Sequence, residues 1–209
     1  MTIDQILCLD GELPSEKFLK SWKAPILACD GAAMTIPFAD RVVGDMDSFQ
    51  GIMDHRFQQI ECQNCTDFEK ALSLVPDKKT LVCGLEGGEL DHVYKNLQTF
   101  SLYSRWQKLL GYVESKDSKK VLFTCQNTCH FNAPLGGKIS LFGAPECKIS
   151  TQGLKWDMKG NILQNPHQCS SRNEVREPEI QVTVHEGQVL IMVEVGSIAS
   201  LPLAFHSLF

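Results

Sequence analysis

The 209-residue sequence lacks several features that would each assign it to a familiar class. No apolar run approaches the roughly 18 residues of a membrane-spanning helix, which argues against an integral membrane protein. Positive charge is not in excess either: the formal net charge is −5, so no basic field is available to hold a nucleic acid backbone. Internal repeats and low-complexity tracts are missing as well. With 43% hydrophobic and 22% charged residues, the composition is that of a globular protein with material for one large domain or two small ones.

The first residues also lack the apolar segment of a secretory signal peptide, because acidic residues interrupt them. Together with an odd number of cysteines, nine, this predicts free thiols in a protein of the reducing cytoplasm. One alternative stays open, a zinc site in which Cys62 and Cys65 combine with Cys125 and Cys129, although the second pair is loosely spaced.

In the first half of the chain, short apolar runs alternate with stretches of helical periodicity, which predicts a parallel α/β sheet. Thr66 and Glu69 have the spacing of a capping box and predict a helix that begins at Asp67. The predicted strands are Ile6–Leu9, Pro25–Cys29, Arg41–Val43, Gln59–Cys62 and Thr80–Cys83. The predicted helices are Ser15–Trp22, Phe49–Phe57, Asp67–Leu74 and Leu90–Leu109.

The second half follows a polar segment and has a different periodicity. Short β-type runs are separated by turn residues, among them Ala144-Pro145 and Glu186-Gly187, and no helical stretch intervenes. This pattern predicts an antiparallel all-β sandwich. We therefore predict an α/β domain over residues 1–117 and a β-sandwich domain over residues 118–209. The strands predicted in the second half are Val121–Thr124, Lys138–Phe142, Cys147–Thr151, Ile180–His185 and Gln188–Val195.

Predicted strands in the first half lead repeatedly into an aspartate. These aspartates are Asp30, Asp45, Asp47, Asp67 and Asp91. The carboxyl ends of parallel strands meet at one edge of a sheet, where α/β folds bind their ligands. Carboxylates crowded at that edge would repel one another, and Mg²⁺ together with phosphate oxygens would relieve the repulsion. The sequence therefore predicts a magnesium and phosphate site at this edge.

Two short segments sharpen this prediction. In the GDMDS segment, Asp45 and Asp47 lie two residues apart and would point to the same face of an extended chain, where they can share a metal ion. Gly87 and Gly88 lie between a predicted strand and a predicted helix, where backbone amides can hold a phosphate. The GDMDS segment alone favours an ordinary turn, and the glycine segment alone suits a turn as well as a phosphate site. It is the convergence of acidic strand ends that favours a site.

The order of these motifs resembles the thiamine pyrophosphokinase family over nearly the whole chain. The segments CDGAA, VVGDMDS, QNCTDFEKAL, GLEGGELDH–x3–N, STQGLKW and SSRN follow one another with family-like spacing. The resemblance implies an α/β domain followed by a β-sandwich, in an enzyme that transfers the diphosphate group of ATP to the hydroxyl of thiamine with Mg²⁺ as cofactor. It also implies a homodimer whose sites lie at the subunit interface.

The resemblance further implies roles for individual residues. Asp45, Asp47 and Asp67 would hold Mg²⁺ and, with Lys70, form the catalytic set. Lys70 could instead be a solvated surface lysine, and Trp156 could pack in the β-core. The residues implied in ATP binding are Asp30, Gly31, Gly87, Gly88, Asp91, His92 and Asn96, and those implied in thiamine binding are Gln63, Trp156, Ser170 and Asn173.

The chain departs from the family pattern at several positions. Glu89 replaces a phosphate-seeking arginine, and this anion either weakens ATP binding from inside the crevice or is solvated outside it. The family's DxD segment reads Cys62-Gln63-Asn64, and Met34 replaces an asparagine. Two alternatives to a thiamine pyrophosphokinase therefore stay open. One is a non-catalytic homologue that binds thiamine or a nucleotide, and the other is a diphosphokinase for another alcohol.

Overall fold

The computed structural model of the chain describes residues 2–116 and 118–196. Contacts between residues are concentrated within two compact units, Thr2–Glu114 and the chain from Ser115 onward. The predicted domain boundary at Asp117 and the last residues of the predicted second domain, 197–209, lie outside the described residues, so the two-domain organisation stays a prediction. None of the helices in the described part of the chain combines the length and apolar character that spanning a bilayer requires.

The first unit is a parallel sheet with helices between its strands, which confirms the α/β prediction. Its strands are β1 (Gln5–Cys8), β2 (Ile26–Cys29), β3 (Arg41–Gly44), β4 (Phe57–Gln59), β5 (Thr80–Cys83) and β6 (Leu109–Glu114). Its helices are α1 (Glu16–Ser21), α2 (Ala32–Thr35), α3 (Asp67–Ser73) and α4 (Leu90–Tyr103). The strand order is β6-β5-β1-β2-β3-β4, and each pairing in it is parallel. The strands β1, β2 and β5 are buried along their whole length, as expected for central parallel strands.

The helix predicted at Phe49–Phe57 is wrong, because this segment is an irregular loop that leads into β4. Its apolar residues pack on each other: the rings of Phe49 and Phe57 lie 4.6 Å apart. The guanidinium of Arg56 donates hydrogen bonds of 2.7 Å and 3.0 Å to the carbonyl oxygens of Pro37 and Ala39. These tertiary contacts fix the loop and override its helical periodicity.

Two further boundaries differ from the predictions. The helix predicted to reach Leu109 ends at Tyr103, because the apolar residues from Leu109 onward form β6 and pair with β5. The strand predicted at Gln59–Cys62 lies earlier in the chain, as β4, where it pairs with β3. The short helix α2 was not predicted.

The second unit consists of antiparallel strands, which confirms the predicted strand orientation; their closure into a sandwich stays a prediction. The strands are β7 (Lys119–Cys125), β8 (Thr128–Asn132), β9 (Lys138–Gln152), β10 (Lys159–Gln164), β11 (Ser170–Glu174) and β12 (Glu179–Glu194). They are ordered β10-β9-β12-β7, with β11 also paired to β9 and β8 also paired to β12.

The turns predicted at Ala144-Pro145 and Glu186-Gly187 are wrong, because these residues lie inside the long strands β9 and β12. The pairing of the two strands shifts register on both sides of Glu186-Gly187. Turn-forming residues are thus accommodated as bulges within continuous strands rather than as chain reversals. The strands β8, β10 and β11 were not predicted, because exposed polar residues interrupt their apolar pattern.

Candidate functional site

A cavity of about 320 Å³ lies in the first unit, where β1, β2 and β3 end and α3 and α4 begin. This is the carboxyl edge of the parallel sheet, the position at which ligands bind in such folds. The carboxylate, ammonium, imidazole and amide side chains in its wall belong to Asp10, Asp30, Asp45, Asp47, Asp67, Lys70, His92, Lys95 and Asn96.

Three of the aspartates form a close group, and two of them pair with one ammonium. Asp30, Asp45 and Asp67 offer carboxylate oxygens that all lie within 4.8 Å of one another. The Nζ atom of Lys70 lies 3.0 Å from Oδ2 of Asp45 and 2.8 Å from Oδ1 of Asp67. Only 2% of the Lys70 side chain is exposed, so the alternative of a solvated surface lysine is wrong.

Asp30 is the most buried member of this group, at 3% exposure. Its Oδ2 atom accepts a hydrogen bond of 3.1 Å from the backbone N–H of Ser48. Its Oδ1 atom is buried and has no hydrogen-bond partner among the described residues. Burial, helped by the nearby charge of Asp67 and opposed by the Ser48 hydrogen bond, raises the pKa of Asp30 to about 6. A buried acceptor without a partner is costly, and a bound cation would satisfy it.

The ion pairs favour the charged forms of Asp45 and Lys70. The hydrogen bond from Lys70 is the main reason why the pKa of Asp45 lies below its ordinary value. Burial lowers the pKa of Lys70, but the hydrogen bonds to Asp67 and Asp45 outweigh it and raise that pKa above its ordinary value. The group therefore presents anionic carboxylate to a ligand while it holds one cation of its own.

Gly44, the last residue of β3, allows the aspartates to approach one another. A Cβ atom at this position would lie 2.7 Å from Cβ of Asp30 and 3.2 Å from Oδ1 of Asp67. The first distance is shorter than real Cβ contacts, so any larger residue would push Asp30 away. The close packing of the carboxylate group therefore requires glycine at this position of the GDMDS segment.

The start of α3 fixes two members of the group. The backbone N–H of Thr66 donates a hydrogen bond of 2.8 Å to Oε2 of Glu69, and the backbone N–H of Glu69 donates one of 3.3 Å to Oγ1 of Thr66. This confirms the predicted capping box and the predicted helix start at Asp67. Asp67 and Lys70 lie three residues apart on the helix, which places both side chains on one face.

Asp47 lies at the exposed rim of the cavity rather than in the close group. Met46 has a φ of 68°, so the GDMDS segment is bent, and the prediction that Asp45 and Asp47 point to the same face of an extended chain is wrong. Oδ1 of Asp47 accepts a hydrogen bond of 3.0 Å from the hydroxyl of Ser48. A role for Asp47 as a metal ligand stays a prediction.

Two charged residues of the cavity were not predicted. Asp10 follows β1 as the other aspartates follow their strands, and this spacing was the signal that could have identified it. Its carboxylate occupies the space that a Cβ atom at Gly31 would need, so the glycine allows their close approach. Lys95 lies on α4 one turn after the cavity residue His92, and its Nζ lies 3.1 Å from Oε1 of Glu69.

Other predicted residues of the first unit are not among those that line the cavity. Gly87 and Gly88 have φ values of 91° and 78° in the turn before α4, a conformation that favours glycine. Glu89 is exposed at the start of α4, which supports the solvated alternative for its side chain. Asp91 and Gln63 are exposed as well.

In the second unit, Asn173 holds together the residues predicted to bind thiamine. Its Oδ1 atom accepts hydrogen bonds of 3.2 Å and 2.8 Å from the backbone N–H groups of Trp156 and Glu174. Its Nδ2 atom donates to the carbonyl oxygen of Trp156 at 2.9 Å and to the hydroxyl of Ser170 at 3.3 Å. The Trp156 side chain is 58% exposed, so the alternative that it packs in the β-core is wrong. The ammonium of Lys155 lies 4.9 Å from the centre of the Trp156 ring.

All nine cysteines are free thiols, as predicted. Cys125 and Cys129 are buried, whereas Cys62 is half-buried and Cys65 is exposed. Over residues 2–116 and 118–196, the aspartate group is the one set of three or more side chains close enough to hold a metal ion together. The structure therefore gives no support to the zinc alternative.

Solved structures of thiamin pyrophosphokinases share the fold of this chain. The enzyme from Geobacillus thermodenitrificans has a TM-score of 0.73 and 20% sequence identity over 94% of this chain and 99% of its own. The enzyme from Candida albicans has a TM-score of 0.72 and 14% identity over 92% of this chain and 89% of its own. The yeast enzyme has a TM-score of 0.70 and 17% identity over 94% of this chain and 87% of its own. No family model and no curated protein sequence matches the chain. The predicted resemblance to this family is therefore confirmed in the fold of the chain.

Proposed function

We propose that this protein is a thiamine pyrophosphokinase, which transfers the diphosphate group of ATP to the hydroxyl of thiamine and releases AMP. The observation that carries the proposal is the group of Asp30, Asp45 and Asp67, two of which pair with Lys70, in a cavity at the carboxyl edge of a parallel sheet. Such a site suits phosphoryl transfer, in which catalysis is mostly positioning and charge neutralisation. The shared fold and the motif resemblance support thiamine as the acceptor.

The carboxylate group fits a magnesium ion. All three side chains offer hard oxygen ligands, and Oδ1 of Asp30 has no hydrogen-bond partner among the described residues that would compete with a cation. We propose that Asp30, Asp45 and Asp67 hold Mg²⁺, with Asp47 at the rim as a further ligand. When bound, the ion would neutralise charge on the phosphate oxygens of ATP.

The remaining residues of the cavity would position the nucleotide phosphates. Lys70 keeps its charge and orients the carboxylates of Asp45 and Asp67 through its hydrogen bonds. His92, Lys95 and Asn96 come from α4 and present donors to the same cavity, where phosphate oxygens accept hydrogen bonds. We place the ATP phosphates between α4 and the carboxylate group.

The second unit would supply the thiamine contacts. The exposed indole of Trp156 offers an aromatic face, which attracts cations such as the thiazolium ring of thiamine. Asn173 then acts as a positioning residue for the Trp156 backbone and the Ser170 hydroxyl. By the family resemblance, these residues would serve the site of a partner subunit in a cytoplasmic homodimer.

The proposal is tested by incubating the purified protein with Mg²⁺-ATP, with and without thiamine, and separating the products by chromatography. We expect AMP and thiamine diphosphate in equal amounts, only when thiamine is present. Saturable thiamine binding without AMP would favour the non-catalytic homologue. AMP release with other alcohols but not with thiamine would favour a diphosphokinase for a different acceptor.

A further inference from the structure

We propose that Cys62 and Cys65 form a redox switch in the cavity wall. In this proposal, a low-molecular-weight disulfide of the glutathione type oxidises the two thiols to an intramolecular disulfide. The pair lies in the turn between β4 and α3, directly before the helix that carries Asp67 and Lys70. Cys65 itself lines the cavity.

The backbone brings the two cysteines within reach of each other. The N–H of Cys65 donates a hydrogen bond to the carbonyl oxygen of Cys62 at 3.4 Å, which closes a four-residue turn. The first and last Cα atoms of such a turn lie less than about 7 Å apart. Disulfides form when the Cα atoms are about 4.4–6.8 Å apart, so closure needs little movement of the chain.

The pair is also accessible, which sets it apart from most of the cysteines. Besides the half-buried Cys62 and the exposed Cys65, the other exposed cysteine is Cys169 in the second unit. The interaction with Cys65, together with the backbone N–H of Asn64, lowers the pKa of Cys62 below its ordinary value. A thiol of lowered pKa is more often the attacking thiolate, which supports Cys62 as the first residue to react. The six remaining cysteines are buried: Cys8, Cys29, Cys83, Cys125, Cys129 and Cys147.

The exchange proceeds in two balanced steps. The Cys62 thiolate attacks one sulfur of the external disulfide, forms a mixed disulfide and displaces one thiol of the reagent. The Cys65 thiolate then attacks the Cys62 sulfur and displaces the second thiol. The two cysteines lose two electrons and two protons in total, and the external disulfide is reduced to two thiols.

Oxidation would change the carboxylate site because Cys65 belongs to the cavity wall. The disulfide draws the Cys65 side chain toward Cys62 and tethers the residue that precedes Thr66, the cap of α3. Asp67 follows directly, so its carboxylate shifts relative to Asp30 and Asp45. This consequence rests on the proposed Mg²⁺ site, whereas disulfide formation does not.

Disulfide formation is tested on the full chain in buffers of reduced and oxidised glutathione, without nucleotide or thiamine. We expect a mass lower by two hydrogens and a peptide pair linked through Cys62 and Cys65. In C65S, Cys62 should instead be trapped as a mixed disulfide with glutathione. C169S is the matched control and should form the linked peptide as the wild type does. A failure to form the Cys62–Cys65 linkage in excess oxidised glutathione would overturn the proposal.

The switch is tested by calorimetric titration of Mg²⁺ into the reduced and the oxidised protein. Disturbing the surroundings of metal ligands typically weakens metal binding by 10–100-fold, so we expect about a tenfold weaker affinity after oxidation. C62S should bind Mg²⁺ as the reduced wild type does, in both buffers. Equal affinity of the two wild-type states would overturn the switch. If the reduced wild type does not bind Mg²⁺, both the proposed function and the switch are overturned. Disulfide formation is decided separately, by whether the peptide pair linked through Cys62 and Cys65 is found.

Discussion

In the first unit, two of three grouped carboxylates pair with one ammonium, and Oδ1 of the third, Asp30, lies buried without a hydrogen-bond partner among the described residues. In the second unit, Asn173 is just as buried, yet its amide makes four hydrogen bonds to Trp156, Ser170 and Glu174. The carboxylate group is thus an incomplete polar network, whereas the network around Asn173 is complete.

This difference separates two kinds of functional residue. An incomplete buried network destabilises the fold unless a ligand completes it, so its residues are the ones to which a cation should bind. A complete network holds its neighbours rigidly. Only the groups that it exposes, here the Trp156 ring, are then free to contact a partner or a substrate. The comparison predicts that substitutions in the first network will affect ligand binding and that those in the second will affect stability.

The largest effect is expected when a carboxylate of the incomplete network is neutralised. D67N removes a proposed Mg²⁺ ligand and a partner of Lys70 without changing the side-chain shape. Because loss of groups that merely support metal ligands costs up to about 100-fold, we expect thiamine-dependent AMP formation to fall at least that far. The measurement is the initial rate at saturating Mg²⁺-ATP.

D77N is the matched control, because Asp77 is exposed on a loop of the same unit. Its φ of 65° is one that asparagine tolerates, so this variant should fold and turn over normally. A D67N protein as active as D77N would remove the carboxylate group from the mechanism.

A smaller effect on both binding and stability is expected for G44A. The added methyl would lie 2.7 Å from Cβ of Asp30 and would force the carboxylate group apart. Overpacking of this kind costs about 1–3 kcal/mol, which urea unfolding would detect, and Mg²⁺ affinity should fall with it. G196A is the control, because among the described residues the atom nearest to the added methyl is Cβ of Pro134 at 3.9 Å. Unchanged Mg²⁺ binding in G44A would show that the close approach of the aspartates is not needed.

Substitutions in the complete network should lower stability and leave ligand binding in the first unit unchanged. N173A leaves the backbone groups of Trp156 without their partner, and a lost buried partner costs about 1–3 kcal/mol. We therefore expect a lower unfolding midpoint and unchanged Mg²⁺ affinity. S170A removes only one long hydrogen bond and should have little effect on the midpoint. Weaker Mg²⁺ binding in N173A would contradict the separation of the two networks.

The smallest effect concerns the pH dependence of stability in the metal-free protein. The folded-state pKa of Asp30, about 6, lies above its ordinary value of 3.8, so between these values the folded protein holds a proton that the unfolded chain has lost. Stability therefore falls as the pH rises through this window. D30N removes the cost of the ionised form and should stabilise the protein by about 1–2 kcal/mol at pH 8 but not at pH 4. A gain that is independent of pH would argue against the raised pKa.

The strand ends and the helix start could be predicted from the sequence because both depend on local chemistry. An apolar run followed by aspartate marks Asp30 and Asp45, and the spacing of Thr66 and Glu69 marks the start of α3. The closeness of Lys70 to two carboxylates follows from the same helix start but needed the tertiary structure, since its spacing also suits an exposed lysine.

Other features depend on contacts between distant residues and could not be predicted in this way. Periodicity predicted a helix at Phe49–Phe57, but ring packing and the hydrogen bonds of Arg56 make it a loop. Turn residues at Ala144-Pro145 and Glu186-Gly187 predicted chain reversals, but both lie inside long strands, and β9 and β12 pair on either side of them with shifts of register. The positive φ of Met46 likewise separates Asp47 from the close carboxylate group.

The most direct test of the central claim is calorimetric titration of Mg²⁺ into the protein in the presence of a non-hydrolysable ATP analogue. The incomplete carboxylate network predicts saturable binding in the wild type, near-complete loss in D45N and wild-type behaviour in D77N. Equal binding by D45N and the wild type, or no binding by the wild type, would contradict the claim that the carboxylate group is a cation site.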